Sequence, residues 1–377
     1  MKTKTIFWIA LFCFTGCRHN EPSKLLGLSE GIVIRPKYAE GFFVTQYSNY
    51  SILHIKHPFP NTEKTYRYLI GDVVDVKEKQ LFDGVINTPI KTIVVTSTTH
   101  VAALEALDVS HSLVGFPGLD YISSEKTRKR IKLGLVKDLG QSHHLNIELL
   151  LQCKPDLLMG FGIDNENNMR HDLEAHTIPV ILNGDWVEKS PLAKAEWIKC
   201  FGILYNKEKE ADAIFNEIEK NYIDAKNIAK KAMKKPTILS GALHGDTWFL
   251  PGGKTTEAVL FKDAYTQYLW QDNTSTGSLK LSVESVLNTA HQSDFWFSPS
   301  HYKTMQHLKQ GHENHAVFRA FKTASVYSFV NTVGETGGVL YYEQGSLRPD
   351  IVLKDIIKIC HPELLPSYRT YFFKSLK

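Results

Sequence analysis

The stretch KEKEADAIFNEIEKNYIDAKNIAKKAMKK, residues 207–235, decides how this chain is read. Ala211, Ile214, Phe215, Ile218, Tyr222, Ala225 and Ala229 recur at steps of three and four, which sets one apolar stripe along a helix. At 1.5 Å per residue such a helix spans about 44 Å, longer than one lobe needs. It predicts a rigid spacer between two lobes.

Working outward, the same pattern stands on both sides of that helix. Upstream, short β-branched runs predict strands at 91–96, 113–115, 155–160 and 179–182. Helices are expected at 100–107, from Ile147, at about 167–176 and at 191–204. Ser97, Thr98 and Thr99 can cap the first of these, and Asn146 the second, by offering side-chain oxygens to free backbone N–H groups. After Pro236 the alternation restarts. Strands are expected at 237–240, 294–297 and 324–329, with helices near 255–261, 282–288 and 348–360. Repeated βα units build parallel sheets covered by helices. The expected fold class is therefore α/β: two doubly wound α/β lobes, residues 91–190 and 236–377, joined by a helical segment, 191–235, that contains the one long helix. Ahead of them, residues 17–90 read as a tether and an extra β-rich segment. Its runs at 31–35, 41–47, 51–56 and 64–70 mix alternation with β-branched and aromatic residues, as a small antiparallel sheet does.

The N-terminus begins with a cationic Met1-Lys-Thr-Lys and continues with nine apolar residues, 6–14. That run is too short to span a bilayer, and residues 1–16 read as an export signal. Phe14-Thr15-Gly16-Cys17 resembles the lipobox of bacterial lipoproteins. The resemblance implies lipidation at Cys17 and a periplasmic or envelope location at a membrane surface. Each acyl chain contributes about 0.8 kcal/mol per buried methylene, so two or three hold a soluble domain there. Cys153, Cys200 and Cys360 remain, an odd number with no metal-ligand spacing, and read as small buried apolar residues.

Several function classes are excluded. Lys+Arg minus Asp+Glu is 44 − 40 = +4, and Lys2 and Lys4 supply two of these charges, so no basic face for nucleic acid is expected. A 43% hydrophobic and 22% charged composition excludes general disorder. Pro251-Gly252-Gly253-Lys254-Thr255 lacks the earlier glycine of a phosphate-binding loop, where Trp248 stands. No zinc-protease or hydrolase nucleophile motif occurs, so no catalytic residue is assigned. His143 and His144 are adjacent, and His312 and His315 fall in a polar loop, so no resident metal or intrinsic cofactor is assigned.

The aromatic residues are more informative. Phe116, Tyr121, Phe161, Trp186, Trp248, Tyr341 and Tyr342 fall at or after the ends of expected strands. In doubly wound sheets those carboxyl ends form the ligand crevice. With Ser97 and His100 they are the candidate ligand-binding residues, an aromatic wall for a large rigid ligand.

Two carboxylates carry a family resemblance. Asn146-Ile-Glu148-Leu-Leu followed by Lys154-Pro155-Asp156, and Ser282-Val-Glu284-Ser-Val-Leu287 followed by Asp294, occupy matching places in the two lobes. Over roughly 91–365 the chain resembles the substrate-binding lipoproteins of bacterial ABC importers, in the class for cobalamin, siderophores and haem. Pro251-Gly-Gly253, Asp263-Ala264 and 361–365 resemble the Bacteroidetes-type members. The resemblance implies a monomeric carrier with no catalytic activity. It implies capture of a large metal chelate between the lobes, and docking of Glu148 and Glu284 on arginines of an ABC transporter permease. It also implies that the long helix limits lobe closure. Where cobalamin carriers have a Trp shortly before the first docking Glu, this chain has residues 140–144, GQSHH. Ferric siderophore, cobalamin and haem all stay open, with His100, Tyr121, His143, His244 and Tyr341 as conceivable haem ligands. The alternatives are a bare zinc or manganese ion held on the same scaffold, or a secreted α/β hydrolase.

Overall fold

The computed structural model describes residues 31–60, 62–72, 79–141, 144–161 and 178–377. The signal, Cys17, His143 and the helix expected at 167–176 lie outside them.

The N-terminal segment forms a five-stranded sheet in chain order: Ile32–Ile34, Phe42–Gln46, Tyr50–Lys56, Thr65–Gly71 and Gly84–Asn87. The first four pair antiparallel as expected, and the fifth, which the sequence reading did not contain, pairs parallel with the fourth. Alternation sends Phe42, Val44, Leu53, Ile55, Tyr66 and Tyr68 into the main core, so the sheet packs on the rest of the chain. Two carboxylates fix it there. Glu196, fully buried, accepts the backbone N–H groups of Lys37, Tyr38 and Ala39 at 2.7–3.0 Å. Glu188 accepts those of Glu40 and Gly41 and the indole N–H of Trp197.

In the first lobe, five parallel strands stand in the order Val180–Asn183, Leu157–Phe161, Ile93–Val95, Leu113–Phe116, Lys137–Asp138. In the second, the order is Gln267–Tyr268, Thr237–Ser240, Phe295–Phe297, Val326–Ser328, Lys374–Ser375, with only the last strand antiparallel. Both are doubly wound: strand order reverses beside the opening strand of each lobe, which is where such sheets place ligands. A second, three-stranded antiparallel sheet, Ala242–His244, Thr247–Pro251 and Ser278–Ser282, was not expected. Gly241 makes it possible. Its φ is +77°, and a Cβ there would stand 1.8 Å from the Phe249 carbonyl oxygen.

The long helix runs Glu208–Ala229, 22 residues rather than 29. Pro236 limits how far the pattern could run, since the residue before a proline is disfavoured in a helix, and the like-charged Lys230, Lys231, Lys234 and Lys235 gain little from further turns. Its buried stripe, Ala211, Phe215, Ile218, Tyr222, Ala225 and Ala229, follows the expected spacing apart from half-buried Ile214. The stripe packs on the helices Ile198–Leu204 and Pro349–Cys360, so this rod is a packed spine and not a free spacer. Among the described residues no helix is long and apolar enough to cross a membrane. The described cysteines, Cys153, Cys200 and Cys360, are unpaired, and the last two are buried.

A second connection joins the lobes. The segment from Thr332 through the helix Leu340–Gln344 reaches across to the first lobe and lies on the helix Thr98–Ala106. Glu335 pairs with Arg128 at 3.3 Å and Lys132 at 2.8 Å, and the Thr336 hydroxyl donates to the Asp120 carbonyl. Glu343 is buried and accepts the Ser123 amide at 2.6 Å. Burial, together with the nearby charge of Glu105, lifts its carboxyl to about 7 despite the pull of the Ser123 and Ser124 amides. A carboxyl that holds its proton more tightly when folded adds stability below its unfolded pKa of about 4.5, and this is lost as pH climbs through about 7. Glu343→Gln stays neutral throughout. The wild type should therefore lose stability relative to the variant between about pH 5 and about pH 8. Urea midpoints of both proteins at the two pH values check this, and parallel shifts contradict it.

Candidate functional site

Between the lobes lies a cavity of about 680 Å³. Its position follows from the topology. Ser240 and Ser298, at and just beyond the carboxyl ends of Thr237–Ser240 and Phe295–Phe297, line it at the strand-order reversal of the second lobe. Ser298 holds φ +52°, a left-handed conformation unusual outside glycine. On the first-lobe side, the segment after Val180–Asn183 supplies Trp186, Glu188, Lys189 and Lys194.

The walls combine apolar and charged groups. Trp186 shares the lining with Phe249, Leu250 and Pro251, contributed by the unexpected antiparallel sheet, and with Pro60 from the N-terminal sheet. Lys189, Lys194 and Lys254 bring cations. Burial pushes the Lys194 ammonium below its ordinary pKa, while Asp185 and Glu188 pull it back up. Among the described residues it forms no ion pair within 4 Å. Asp185 is buried, which lifts its carboxyl to about 6, with Lys194 opposing. On the opposite wall Glu257 accepts the Ser240 hydroxyl at 2.7 Å, and burial raises its carboxyl. Of the two carboxylates in the lining, Glu188 accepts the backbone it clamps and Glu257 the Ser240 hydroxyl, while Lys189 pairs with Glu40 at 3.1 Å, so Lys194 and Lys254 are the lining lysines without an ion pair within 4 Å among the described residues.

Trp186 is the one sequence-predicted aromatic in the lining, and Phe161 stands behind it with ring centroids 5.4 Å apart. Ser97 caps the helix Thr98–Ala106, accepting from the Thr99 amide, and does not line the cavity. Tyr341 stacks on Phe329 at 4.1 Å beside the second connection, with Tyr342 next to it, 58% exposed. Burial, and then the Glu257 charge, raise both phenols, so they sit within electrostatic reach of the cavity but outside its lining. Tyr121 is 70% exposed, also outside.

Three expectations are corrected. His100 is buried on the inner side of its helix, packed toward Phe201, with both ring nitrogens unpartnered among the described residues and its pKa driven down to about 3 by burial. Phe116 and Trp248 are fully enclosed core residues, Trp248 held by Trp296, Phe318 and His315. A residue at a strand end points to either face of the pleat, and these point inward. No described cluster of three His, Cys, Asp or Glu is placed to hold a metal ion. The lysines and Pro60 were missed because nothing local separates a cleft lysine from a surface one.

Glu148 and Glu284 are both exposed, in the first turns of Ile147–Cys153 and Val283–Ala290. Each helix leads into a parallel strand, Leu157–Phe161 or Phe295–Phe297, so each begins at the carboxyl edge of its sheet, the edge that carries the cleft. The Glu284 carboxyl is held below its ordinary pKa by its own amide and the Ser282 hydroxyl.

Residues 93–330 match the sequence model described as periplasmic binding protein. An uncharacterized lipoprotein of Methanocaldococcus jannaschii is 27% identical over 300 residues, covering 77% of this chain and 69% of its own. Among solved structures, the fold resembles the siderophore-binding protein BauB bound to acinetobactin and ferric iron, at 15% identity and TM-score 0.57, covering 82% of this chain and 99% of that one. It likewise resembles a periplasmic haem-binding protein of Pseudomonas aeruginosa, at 17% identity and TM-score 0.56, covering 76% and 98%. These neighbours are solute-binding proteins, not enzymes.

Proposed function

The chain belongs to the periplasmic binding protein family, and from that premise we propose that it is a lipid-anchored receptor that captures an anionic ferric siderophore between its lobes and hands it to an ABC transporter permease. The family places it in the cell envelope and makes it a carrier without catalysis. The observation that carries the finer reading is the make-up of the cleft. Three lysines, two glutamates and a set of apolar groups surround about 680 Å³, Lys194 and Lys254 stand free of ion pairs among the described residues, and none of the described lining residues is His, Tyr, Met or Cys. Haem iron in proteins takes its axial ligands from those side chains. A siderophore brings its metal already saturated and asks the protein only for countercharge and apolar contact. Cationic walls also suit a ferric catecholate better than a corrinoid, whose size and weaker charge need neither Lys194 nor Lys254. The neighbour named as a siderophore-binding protein supports this class of ligand, and the one named as haem-binding supports the haem alternative.

Titration of the purified protein with a ferric catecholate, a ferric hydroxamate, haemin and cyanocobalamin, followed through quenching of tryptophan fluorescence, tests it. Tight binding of the ferric catecholate is the expected result, and binding of haemin or cyanocobalamin alone defeats it. Lys194→Gln with Lys254→Gln should weaken that binding more than about a hundredfold, since each charged hydrogen bond contributes about 1.5–3 kcal/mol. Calorimetry on the double variant measures it.

A further inference from the structure

The N-terminal sheet is an addition to the two lobes, and its place in the molecule points beyond a spacer. Its turn after Tyr50–Lys56 carries Pro58, Phe59 and Pro60. Pro60 lines the cavity, facing the same space as Trp186 and Phe249. Pro58 lies against Gly184, where a Cβ would stand 3.0 Å from the Pro58 Cα. Gly41 is just as close to Trp197, a Cβ there meeting the indole at 2.7 Å. The clamp is continuous with the cavity. Glu188 lines the cavity and at the same time accepts the Glu40 and Gly41 amides, and its neighbour Lys189, also lining, pairs with Glu40 at 3.1 Å. A ligand that moves Trp186, Glu188 or Lys189 therefore moves groups that the sheet holds.

We propose that the N-terminal sheet is a third wall of the cleft, in which the Pro58-Phe59-Pro60 turn sets the size and seating of the ligand and the Glu188 clamp fixes the Asp185–Lys194 wall. The two prolines suit this role: they hold the turn in one conformation, so ordering it on binding costs little. The inference rests on the cleft being the ligand site, as proposed above.

Two measurements on the full chain test it, with the ferric catecholate as probe. In the first, amide hydrogen exchange of the wild type is compared with and without the probe. The expected result is slower exchange at Lys56, His57 and Phe59 and at Glu40 and Gly41, as well as in the two lobes. Protection confined to the lobes overturns the third wall. In the second, Pro60→Trp crowds the cavity mouth from outside the fold's core, so its melting temperature should match the wild type while binding weakens roughly tenfold or more. Unchanged affinity in a folded Pro60→Trp protein also overturns it. A wild type that binds none of the four chelates sinks the reading of the cleft itself, a different outcome from binding that ignores the sheet.

Discussion

Replacing Glu148 and Glu284 together with arginine abolishes uptake of the ferric chelate while its affinity for the purified protein stays at the wild-type value. The expectation comes from placement. Both carboxylates are exposed at helix starts on the cleft edges of two separate lobes. Neither is in the cavity lining. In a first helical turn a carboxylate is favoured by the helix dipole, and both side chains stand exposed. Arginine forks on a permease would recognise them in bidentate fashion. Exposed ion pairs are individually weak, which suits a carrier that must leave after unloading. Two charge reversals set cation against cation at both ends of the contact, so the loss should be near complete, with each single variant intermediate. Uptake of radio-iron chelate by cells carrying only the double variant measures it. Wild-type uptake would end the docking proposal, and lost affinity would move these residues into the ligand site.

The largest stability effect is expected at Glu196. Its carboxylate is fully buried, accepts three consecutive amides at 37–39 and pairs with Lys199 at 3.0 Å. Glu196→Ala strands those three amides and leaves the Lys199 ammonium with Asp212, at 3.2 Å, as its remaining carboxylate partner. Breaking such an arrangement costs about 3–5 kcal/mol. Glu196→Gln keeps one acceptor oxygen and should lose less. Urea denaturation followed by circular dichroism reads the difference, and a wild-type midpoint for Glu196→Ala would show that the sheet is held by its apolar face alone.

Much of the scaffold could be read in advance because its signals are local. Ser97, Asn146, Thr255 and Ser282 each cap a helix with a side-chain oxygen, and each stands just ahead of an apolar periodic run. The long helix was overrun because its period continues into 230–235, where only Pro236 and a run of lysines oppose it. The Ala242–Ser282 sheet stayed hidden because its third strand joins from almost thirty residues away, and no short window holds that pairing. The site was less legible than the scaffold. Trp186 and the exposed carboxylates Glu148 and Glu284 carry a local signature. Phe116 and Trp248 share that signature and turn inward. Lys194, Lys254, Glu257 and Pro60 become neighbours only when three separate segments fold together.

The crossing from Thr332 to Gln344 bears on how a transporter could tell full from empty. A receptor pinned at both the spine and this crossing has little room to change its outline when cargo arrives. The two states would then look nearly alike from a distance. Any message to the proposed permease would then be written in the exposed face of the cargo and in the few side chains touching it.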